Sequence, residues 1–276
     1  MDRRLTPATD RVALASLQGV VQRPAYTQGA PARVTVPLVD LRRDPEGARD
    51  RQLLFGTDVT VIERRGDFAF VQAARDGYVG WLPTGALGHD LPAITHRVSA
   101  PGAHIYPAPD MKQHEIAALS MNARLSVVGV EGGFARLSGG GWVPVQAISD
   151  RFGDDPVTLA EGFLGTPYLW GGNARAGIDC SGLVQAALHG AGLACPGDSD
   201  LQERAFTPVD QPERGDLLFW PGHVAMACGD GRMIHATAWQ MRVIHEDITH
   251  AIARIEAAGH GPYRGARRPP RQTISL

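Results

Sequence analysis

Cysteine is scarce in this chain, with three among 276 residues, and their spacing is not that of a metal site. So small and odd a number does not provide the disulfide framework of a small secreted scaffold. Charge of one sign is also missing, since 27 Lys and Arg are balanced by 29 Asp and Glu. That balance gives no electrostatic reason to expect nucleic acid or an anionic membrane as a partner. No apolar run reaches the roughly 18 to 20 residues that span a bilayer, so we expect no membrane segment.

The first residues lack the pattern of an export signal. Residues 1–7 begin with charged side chains, and the apolar stretch at 12–17 is too short for the hydrophobic part of a signal peptide. We therefore expect a cytoplasmic protein, in a compartment where free thiols stay reduced.

Glycine and proline are plentiful, at 33 and 20 residues, which favours many short strands and turns. The chain also repeats itself, because segments 59–69 and 125–135 both contain Gly-x-Phe-Ala and both precede a Trp-x-Pro triplet. Each unit resembles a bacterial SH3-like domain, a small β-barrel. We predict a lead-in at 1–33 and two SH3-like domains at 34–90 and 95–150.

The pattern changes after residue 150, where longer apolar segments begin. The sequence predicts helices at 156–164 and from Cys180 onward, and strands at 216–220, 223–228, 232–236 and 240–244. Helices packed on a run of antiparallel strands form an α+β domain, which we place at 151–276.

Cys180 ends a glycine-rich polar loop at the predicted start of a helix. A thiol in the first turn faces unpaired N–H groups and the positive end of the helix dipole, so a lowered pKa and a reactive thiolate are expected. His223 and His235 follow on strand-like apolar segments, which is the layout of a cysteine hydrolase. Cys195 and Cys228 lie in apolar surroundings and are expected to be small buried residues.

Five sequence blocks extend this layout: TPYLWGG at 166–172, DCSGLV at 179–184, RGDLLFW at 214–220, GHVAM at 222–226 and IHA at 234–236. Together, in this order and at about this spacing, they resemble the NlpC/P60 cysteine peptidases. The resemblance implies a papain-like core that cleaves γ-D-glutamyl–diamino acid bonds in bacterial cell-wall (murein) peptides. SH3-like domains ahead of such a core are similar to the cytoplasmic members that trim recycled peptides with a free N-terminal L-Ala.

The resemblance also implies catalytic roles. Cys180 is the expected nucleophile, and His223 is expected to hold its thiolate as an ion pair and then protonate the leaving amine. His235 is expected to fix the tautomer of His223. Tyr168 is expected to stabilise the oxyanion together with backbone N–H groups at the helix start.

The substrate-binding residues that the resemblance suggests are Asp179, Ser181, Ser199, Tyr78 and Asp50. Ser199 follows Gly197, where the family usually has Arg, so this block departs from the pattern. Asp50 is the candidate partner for the substrate's ammonium group, because a buried ammonium needs a carboxylate.

Several alternatives stay open. Asp230 competes with His235 for the third catalytic position, although Gly-Asp-Gly is typical of a hairpin turn. Asp179 could simply cap the helix, Tyr168 could be an ordinary packing aromatic, and Tyr78 could be an ordinary aromatic on the barrel surface. At the level of function, the rivals are a wall-peptide-binding protein with an inactive peptidase domain and a Cys-dependent amidase or acyltransferase.

Beyond the peptide substrate, the sequence points to few partners. The histidines show no ligand spacing, so no metal and no cofactor are expected. We expect a monomer that binds murein-derived peptides. The sequence leaves open whether the diamino acid is meso-diaminopimelate or L-Lys.

Overall fold

The computed structural model describes residues 1–269 and 273–274, so the last few residues of the predicted domain at 151–276 lie partly outside it. The chain forms two compact units. The first contains residues 1–95, 104–119 and 123–143, and the second contains 96–103, 120–122 and 144–276. Residues of the predicted second SH3-like domain, 95–150, are therefore shared between the two units.

Residues 1–90 form short strands around one antiparallel sheet. The strands are β1 (Val12–Leu14), β2 (Ala25–Thr27), β3 (Ala30–Val34), β4 (Leu38–Arg42), β5 (Arg49–Leu54), β6 (Asp58–Arg65), β7 (Phe68–Ala73), β8 (Val79–Pro83) and β9 (Leu87–Gly88). Seven of them pair in the order β5-β4-β8-β7-β6-β3-β9. Single 3₁₀ turns occur at Arg3–Leu5, Ala15–Leu17 and Thr84–Ala86. Because β3 begins at Ala30, the end of the predicted lead-in belongs to this sheet.

The next segment has the same kind of short elements. Its strands are β10 (His96–Val98), β11 (Gly102–Ile105), β12 (Ala117–Ser120), β13 (Arg124–Leu125), β14 (Val127–Glu131), β15 (Phe134–Leu137), β16 (Trp142–Pro144) and β17 (Ile148–Ser149). Both Trp-x-Pro triplets end a strand, and each is followed by a 3₁₀ turn and a two-residue strand. The turn after the second triplet is Val145–Ala147. The repeat in sequence is thus also a repeat in local structure.

From residue 151 the chain alternates helices with a larger sheet. The helices are α1 (Pro156–Glu161), α2 (Cys180–Gly190), α3 (Ser199–Ala205) and α4 (Ile248–Ala257). The strands are β18 (Asn173–Ala174), β19 (Gly177–Ile178), β20 (Thr207–Val209), β21 (Leu217–Trp220), β22 (His223–Gly229), β23 (Arg232–Thr237), β24 (Arg242–Asp247) and β25 (Ala266–Arg268). Six of them form an antiparallel sheet in the order β20-β25-β21-β22-β23-β24. The predicted helix at 156–164 stops three residues early, and the predicted strand at 240–244 begins two residues late.

Side-chain alternation along the strands gives this sheet two apolar faces. Leu217, Phe219, Val224 and Met226 pack with buried residues of α1 and α2. Their neighbours Leu218, Trp220, Ala225 and Ala227 pack with α4. Every residue of α2 is buried, which makes it the central helix of the unit. Helices on an antiparallel sheet confirm the α+β class. Among the described residues, no helix is both long and apolar enough to cross a membrane.

Candidate active site

Asp179 is the N-cap of α2 and holds the loop that carries the nucleophile candidate. One carboxylate oxygen accepts from Gly182 N at 2.7 Å and from Ser181 Oγ at 3.0 Å, and the other accepts from Gly171 N at 2.9 Å. Burial raises the pKa of Asp179, although these hydrogen bonds oppose the rise. Its carboxylate is therefore engaged in capping, and substrate contact by Asp179 stays a prediction.

A close backbone approach explains the glycine in the Asp-Cys-Ser-Gly block. A Cβ on Gly182 would lie 2.4 Å from the carbonyl oxygen of Gly172, which also accepts a 3.1 Å hydrogen bond from Asp179 N. Only glycine lets the loop pack this tightly on the first turn of α2. The tight contact holds the loop at Gly172 against the first turn of α2, which begins at Cys180.

Cys180 is the first residue of α2 and lies within the hydrophobic core, with 7% of its surface exposed. Burial raises the pKa of the thiol to about 12, the Asp179 charge adds to the rise, and backbone N–H groups including that of Val224 oppose it. The expected lowering of the pKa by the helix start is therefore wrong, because loss of solvation outweighs the helix dipole. The contact with Val224 N–H places the thiol beside the residue that follows His223.

His223 and His235 form a hydrogen-bonded pair on adjacent strands. His223 begins β22, His235 lies in β23, and His223 Nε2 is 2.9 Å from His235 Nδ1. Burial lowers the pKa of His223 to about 3, and burial also lowers the pKa of His235. Burial therefore favours the neutral form of both imidazoles, which argues against the resting ion pair between Cys180 and His223 that the sequence predicted.

Glu246 and Arg254 continue this pair, and no sequence motif pointed to them. Glu246 Oε2 on β24 lies 3.2 Å from His235 Nε2, and Arg254 of α4 binds both oxygens of Glu246 at 2.8 and 2.7 Å. Burial alone would raise the pKa of Glu246, but the hydrogen bonds from Arg254 and His235 outweigh it and hold the pKa at about 2. A carboxylate is thus fixed behind His235.

Asp230, the alternative to His235, lies just beyond the end of β22 that is farther from His223. It sits in the turn that follows Gly229, with a φ of 51°, while His223 begins the same seven-residue strand. A strand of that length spans about 20 Å. The geometry favours His235 as the partner of His223, and Asp230 has the role of a turn residue.

Tyr168 packs half-buried against the core cluster that contains Cys180. Burial raises its pKa, and the negative charges that Cys180 and Asp179 would carry raise it further. The hydroxyl therefore stays protonated and able to donate a hydrogen bond. Its backbone is held by a bridge to Ile178 and by a 2.9 Å hydrogen bond to the carbonyl of Met241.

Ser181 and Ser199 lie on neighbouring helices of the same unit. Ser181 is buried, and its carbonyl accepts a 3.0 Å hydrogen bond from Gln202 Nε2 of α3. Ser199 is the half-buried first residue of α3. The side chain of Ser181 serves the Asp179 cap, so substrate contact by either serine stays a prediction.

Asp50 and Tyr78 belong to the other unit and take part in a charged cluster there. Both oxygens of Asp50 pair with Arg3, at 2.6 and 2.9 Å. Tyr78 is 1% exposed, and the guanidinium of Arg51 lies 4.9 Å from its ring centroid. Burial of Tyr78 excludes the alternative that it is an ordinary surface aromatic, and a role for Asp50 or Tyr78 in binding an amine stays a prediction.

Taken together, the second unit holds a thiol at a helix start, a hydrogen-bonded histidine pair and a fixed carboxylate. Comparison with known proteins gives this arrangement a family. Residues 165–258 match the model of the NlpC/P60 family, and residues 41–87 match the bacterial dipeptidyl-peptidase SH3 domain. A γ-D-glutamyl-L-lysine dipeptidyl-peptidase of Bacillus subtilis is 30% identical over 213 residues, covering 67% of this chain and 71% of that protein. The chain belongs to the NlpC/P60 family.

Two further comparisons agree. A γ-D-glutamyl-L-lysine dipeptidyl-peptidase of Bacillus cereus is 28% identical over 256 residues, covering 79% of this chain and 74% of that protein. The crystal structure of an NlpC/P60 family protein from Bacillus cereus matches with a TM-score of 0.74 at 24% identity, covering 87% of this chain and 99% of that one. The structural likeness confirms the fold, and family membership makes this NlpC/P60 protein a peptidase.

Proposed function

We propose that this NlpC/P60 protein hydrolyses the γ-D-glutamyl–diamino acid bond of short murein peptides through an acyl-enzyme on Cys180. The observation that carries the proposal is the chain of groups from the start of α2 through His223 and His235 to Glu246. The relatives named γ-D-glutamyl-L-lysine dipeptidyl-peptidases supply the substrate class.

Tautomer control is the role we assign to His235 and Glu246. His235 Nε2 lies 3.2 Å from the Glu246 carboxylate, whose charge favours the tautomer with the proton on Nε2, so His235 Nδ1 is left with a lone pair that accepts from His223 Nε2. His223 then has its Nδ1 lone pair available as the base. Without the carboxylate, the histidine pair could adopt the opposite tautomers and lose that base.

The first chemical step starts from a neutral thiol and a neutral imidazole. As Cys180 Sγ attacks the γ-carbonyl carbon, its proton moves to His223 Nδ1 and the carbonyl π electrons move to oxygen. Tyr168 Oη and backbone N–H groups at the start of α2 stabilise the resulting oxyanion. His223 then gives its proton to the amine of the diamino acid, the C–N bond breaks, and a thioester remains on Cys180.

The second step regenerates the enzyme. His223 takes a proton from water, the hydroxide oxygen attacks the thioester carbon, and the C–S bond breaks with return of the proton to Cys180. The products are the diamino acid portion and a peptide that ends in D-Glu.

A peptide series tests the proposed substrate. We expect L-Ala-γ-D-Glu-L-Lys or its meso-diaminopimelate counterpart to release L-Ala-D-Glu, measured by mass spectrometry. The α-linked isomer is the matched control and should resist. Cleavage of the α-linked peptide at an equal rate would refute the γ-glutamyl assignment. Release of a transfer product when an amine acceptor is added would indicate an acyltransferase instead.

An N-acetylated copy of the cleaved peptide tests the expected requirement for a free L-Ala amine. If the amine is bound by a carboxylate, kcat/KM for the acetylated peptide falls by at least tenfold. Asp50→Asn tests whether Asp50 is that carboxylate. The test is needed because Arg3 already pairs with both oxygens of Asp50. Equal cleavage of both peptides would remove the amine-binding proposal while leaving the peptidase intact.

A further inference from the structure

Three side chains with metal-binding chemistry converge in the second unit, and none of them is among the residues assigned to catalysis. Glu161 ends α1, Cys228 lies near the end of β22, and His245 lies in β24. One ligand atom from each lies within 4.8 Å of the other two. The three residues come from three separate elements, so their convergence is produced by the fold.

The imidazole of His245 has a buried nitrogen atom without a hydrogen-bond partner. Its Nε2 atom is buried, has no hydrogen-bond partner, and lies 3.2 Å from Glu161 Oε1. A buried ring nitrogen without a hydrogen-bond partner is uncommon and requires an explanation. A cation between the imidazole nitrogen and the carboxylate oxygen would satisfy both atoms.

We propose that Glu161, Cys228 and His245 bind a divalent zinc ion. A thiolate, an imidazole and a carboxylate form a donor set that suits Zn²⁺, whereas Mg²⁺ and Ca²⁺ prefer oxygen ligands alone. Ligand atoms on a tetrahedral Zn²⁺ are about 3.3 to 3.6 Å apart, given Zn–N and Zn–O bonds near 2.0–2.2 Å and a Zn–S bond near 2.3 Å. The 3.2 Å separation of His245 Nε2 and Glu161 Oε1 already fits this geometry.

The surroundings accommodate the positive charge of a metal ion and leave space for a fourth ligand. Arg214, the nearby guanidinium that donates to the carbonyl of Cys228, is paired with Asp155 at 2.6 Å. The Glu161 side chain is 36% exposed, so water can complete the coordination from that side.

Zinc here would connect α1 to two strands. Cys228 is on β22 and His245 is on β24, and these strands flank β23, which carries His235. Because the metal binds only when the three elements are assembled, it stabilises the folded state over the unfolded chain. The site is independent of the proposed peptidase chemistry, since none of its residues takes part in that reaction.

Cobalt substitution tests the site without relying on activity. The full-length Cys180→Ala protein is titrated with Co²⁺, because Cys180 and its histidines form a second thiol–imidazole set that could bind metal. We expect one equivalent of Co²⁺ to give a thiolate-to-metal charge-transfer band, and Zn²⁺ to displace it. Adding Cys228→Ser should abolish the band, while adding Cys195→Ser, which changes a buried thiol elsewhere, should leave it.

Glu161→Gln supplies the second variant, since Glu161 is partly exposed and the change keeps its shape. We expect the Co²⁺ affinity to fall at least tenfold, and the rise in Tm that Zn²⁺ gives to the Cys180→Ala protein to shrink accordingly. Circular dichroism without metal confirms that each variant folds. Absence of the charge-transfer band in the Cys180→Ala protein, or its persistence in Cys228→Ser, would overturn the proposal.

Discussion

Two opposing effects act on the thiol of Cys180. Its place at the start of α2 exposes it to N–H groups that favour the thiolate, while its burial removes the water that would solvate that charge. Burial prevails and raises the thiol pKa to about 12, and it lowers the pKa of His223 to about 3. We therefore expect the thiol and the imidazole to be neutral before the substrate binds and the proton to move during the attack.

The ionisation state of Cys180 can be measured directly. The thiolate absorbs in the ultraviolet, so the absorbance difference between wild type and Cys180→Ala reports its ionisation. With a raised thiol pKa, we expect no thiolate signal between about pH 5 and 9, where an ordinary thiol would titrate near 8.5. A thiolate signal at neutral pH that disappears only on acidification would show a preformed ion pair and contradict this account.

The second prediction for a single residue concerns Glu246. Glu246→Gln keeps the size of the side chain, but its amide can donate to His235 and favour the wrong tautomer. We expect kcat to fall by about tenfold or more, with KM little changed, because the base is lost in part of the molecules.

Glu203→Gln is the matched control for Glu246→Gln. Glu203 also forms an ion pair with an arginine, Arg264, at 3.1 Å. It is not one of the residues to which we assign a role in the reaction. Its kcat should stay at the wild-type value. An equal loss of kcat in both variants, or a loss in Glu246→Gln that follows a lower Tm, would leave Glu246 with a structural role only.

At the scale of the element, the cap of α2 connects stability to chemistry. Asp179 holds two backbone N–H groups and the hydroxyl of Ser181, one residue before Cys180. Asp155 caps α1 in the same way, through Val157 N, Thr158 N and the Thr158 hydroxyl. Both aspartates therefore cap a helix, but only Asp179 lies next to Cys180.

Replacing each cap by alanine separates the two roles. We expect Asp155→Ala to lower the free energy of unfolding by about 0.5–2 kcal/mol and to keep kcat/KM. Asp179→Ala should lower the free energy of unfolding by at least as much and also reduce kcat/KM, because the Gly171–Gly172 loop loses its anchor. Chemical denaturation and peptide hydrolysis measure the two effects. Unchanged kcat/KM in Asp179→Ala would mean that the cap does not position Cys180.

Elements with a strong local signal could be predicted from the sequence, and the others could not. The glycine-rich loop before Cys180 and the apolar spacing after it predicted α2, and the alternation around His223 and His235 predicted β22 and β23. Helices α3 and α4 were missed. Helix α3 is short and mostly polar, whereas α4 has apolar residues at helical spacing, at Ile248, Ala251, Ile252 and Ile255, and could have been predicted. Glu246 and Glu161 were missed as well, because their partners come together only in the folded sheet and no spacing along the chain signals them.

At the scale of the molecule, the repeat around the two Trp-x-Pro triplets and the blocks around Cys180 made the α+β architecture and the family predictable. The pKa of the thiol was not predictable in the same way, because it depends on how completely the fold buries Cys180. The predicted domain bounds, the cytoplasmic location and the monomeric state stay predictions.

The most direct test of the account is the release of L-Ala-D-Glu from L-Ala-γ-D-Glu-diamino acid by wild type, Cys180→Ala and Cys195→Ala, followed by mass spectrometry. Cys195 is a buried thiol in the same core, so its variant controls for the loss of a sulfur atom. We predict that Cys180→Ala loses activity by at least about 10³-fold and that Cys195→Ala stays close to wild type. Activity that survives in Cys180→Ala would contradict the proposal that Cys180 is the nucleophile.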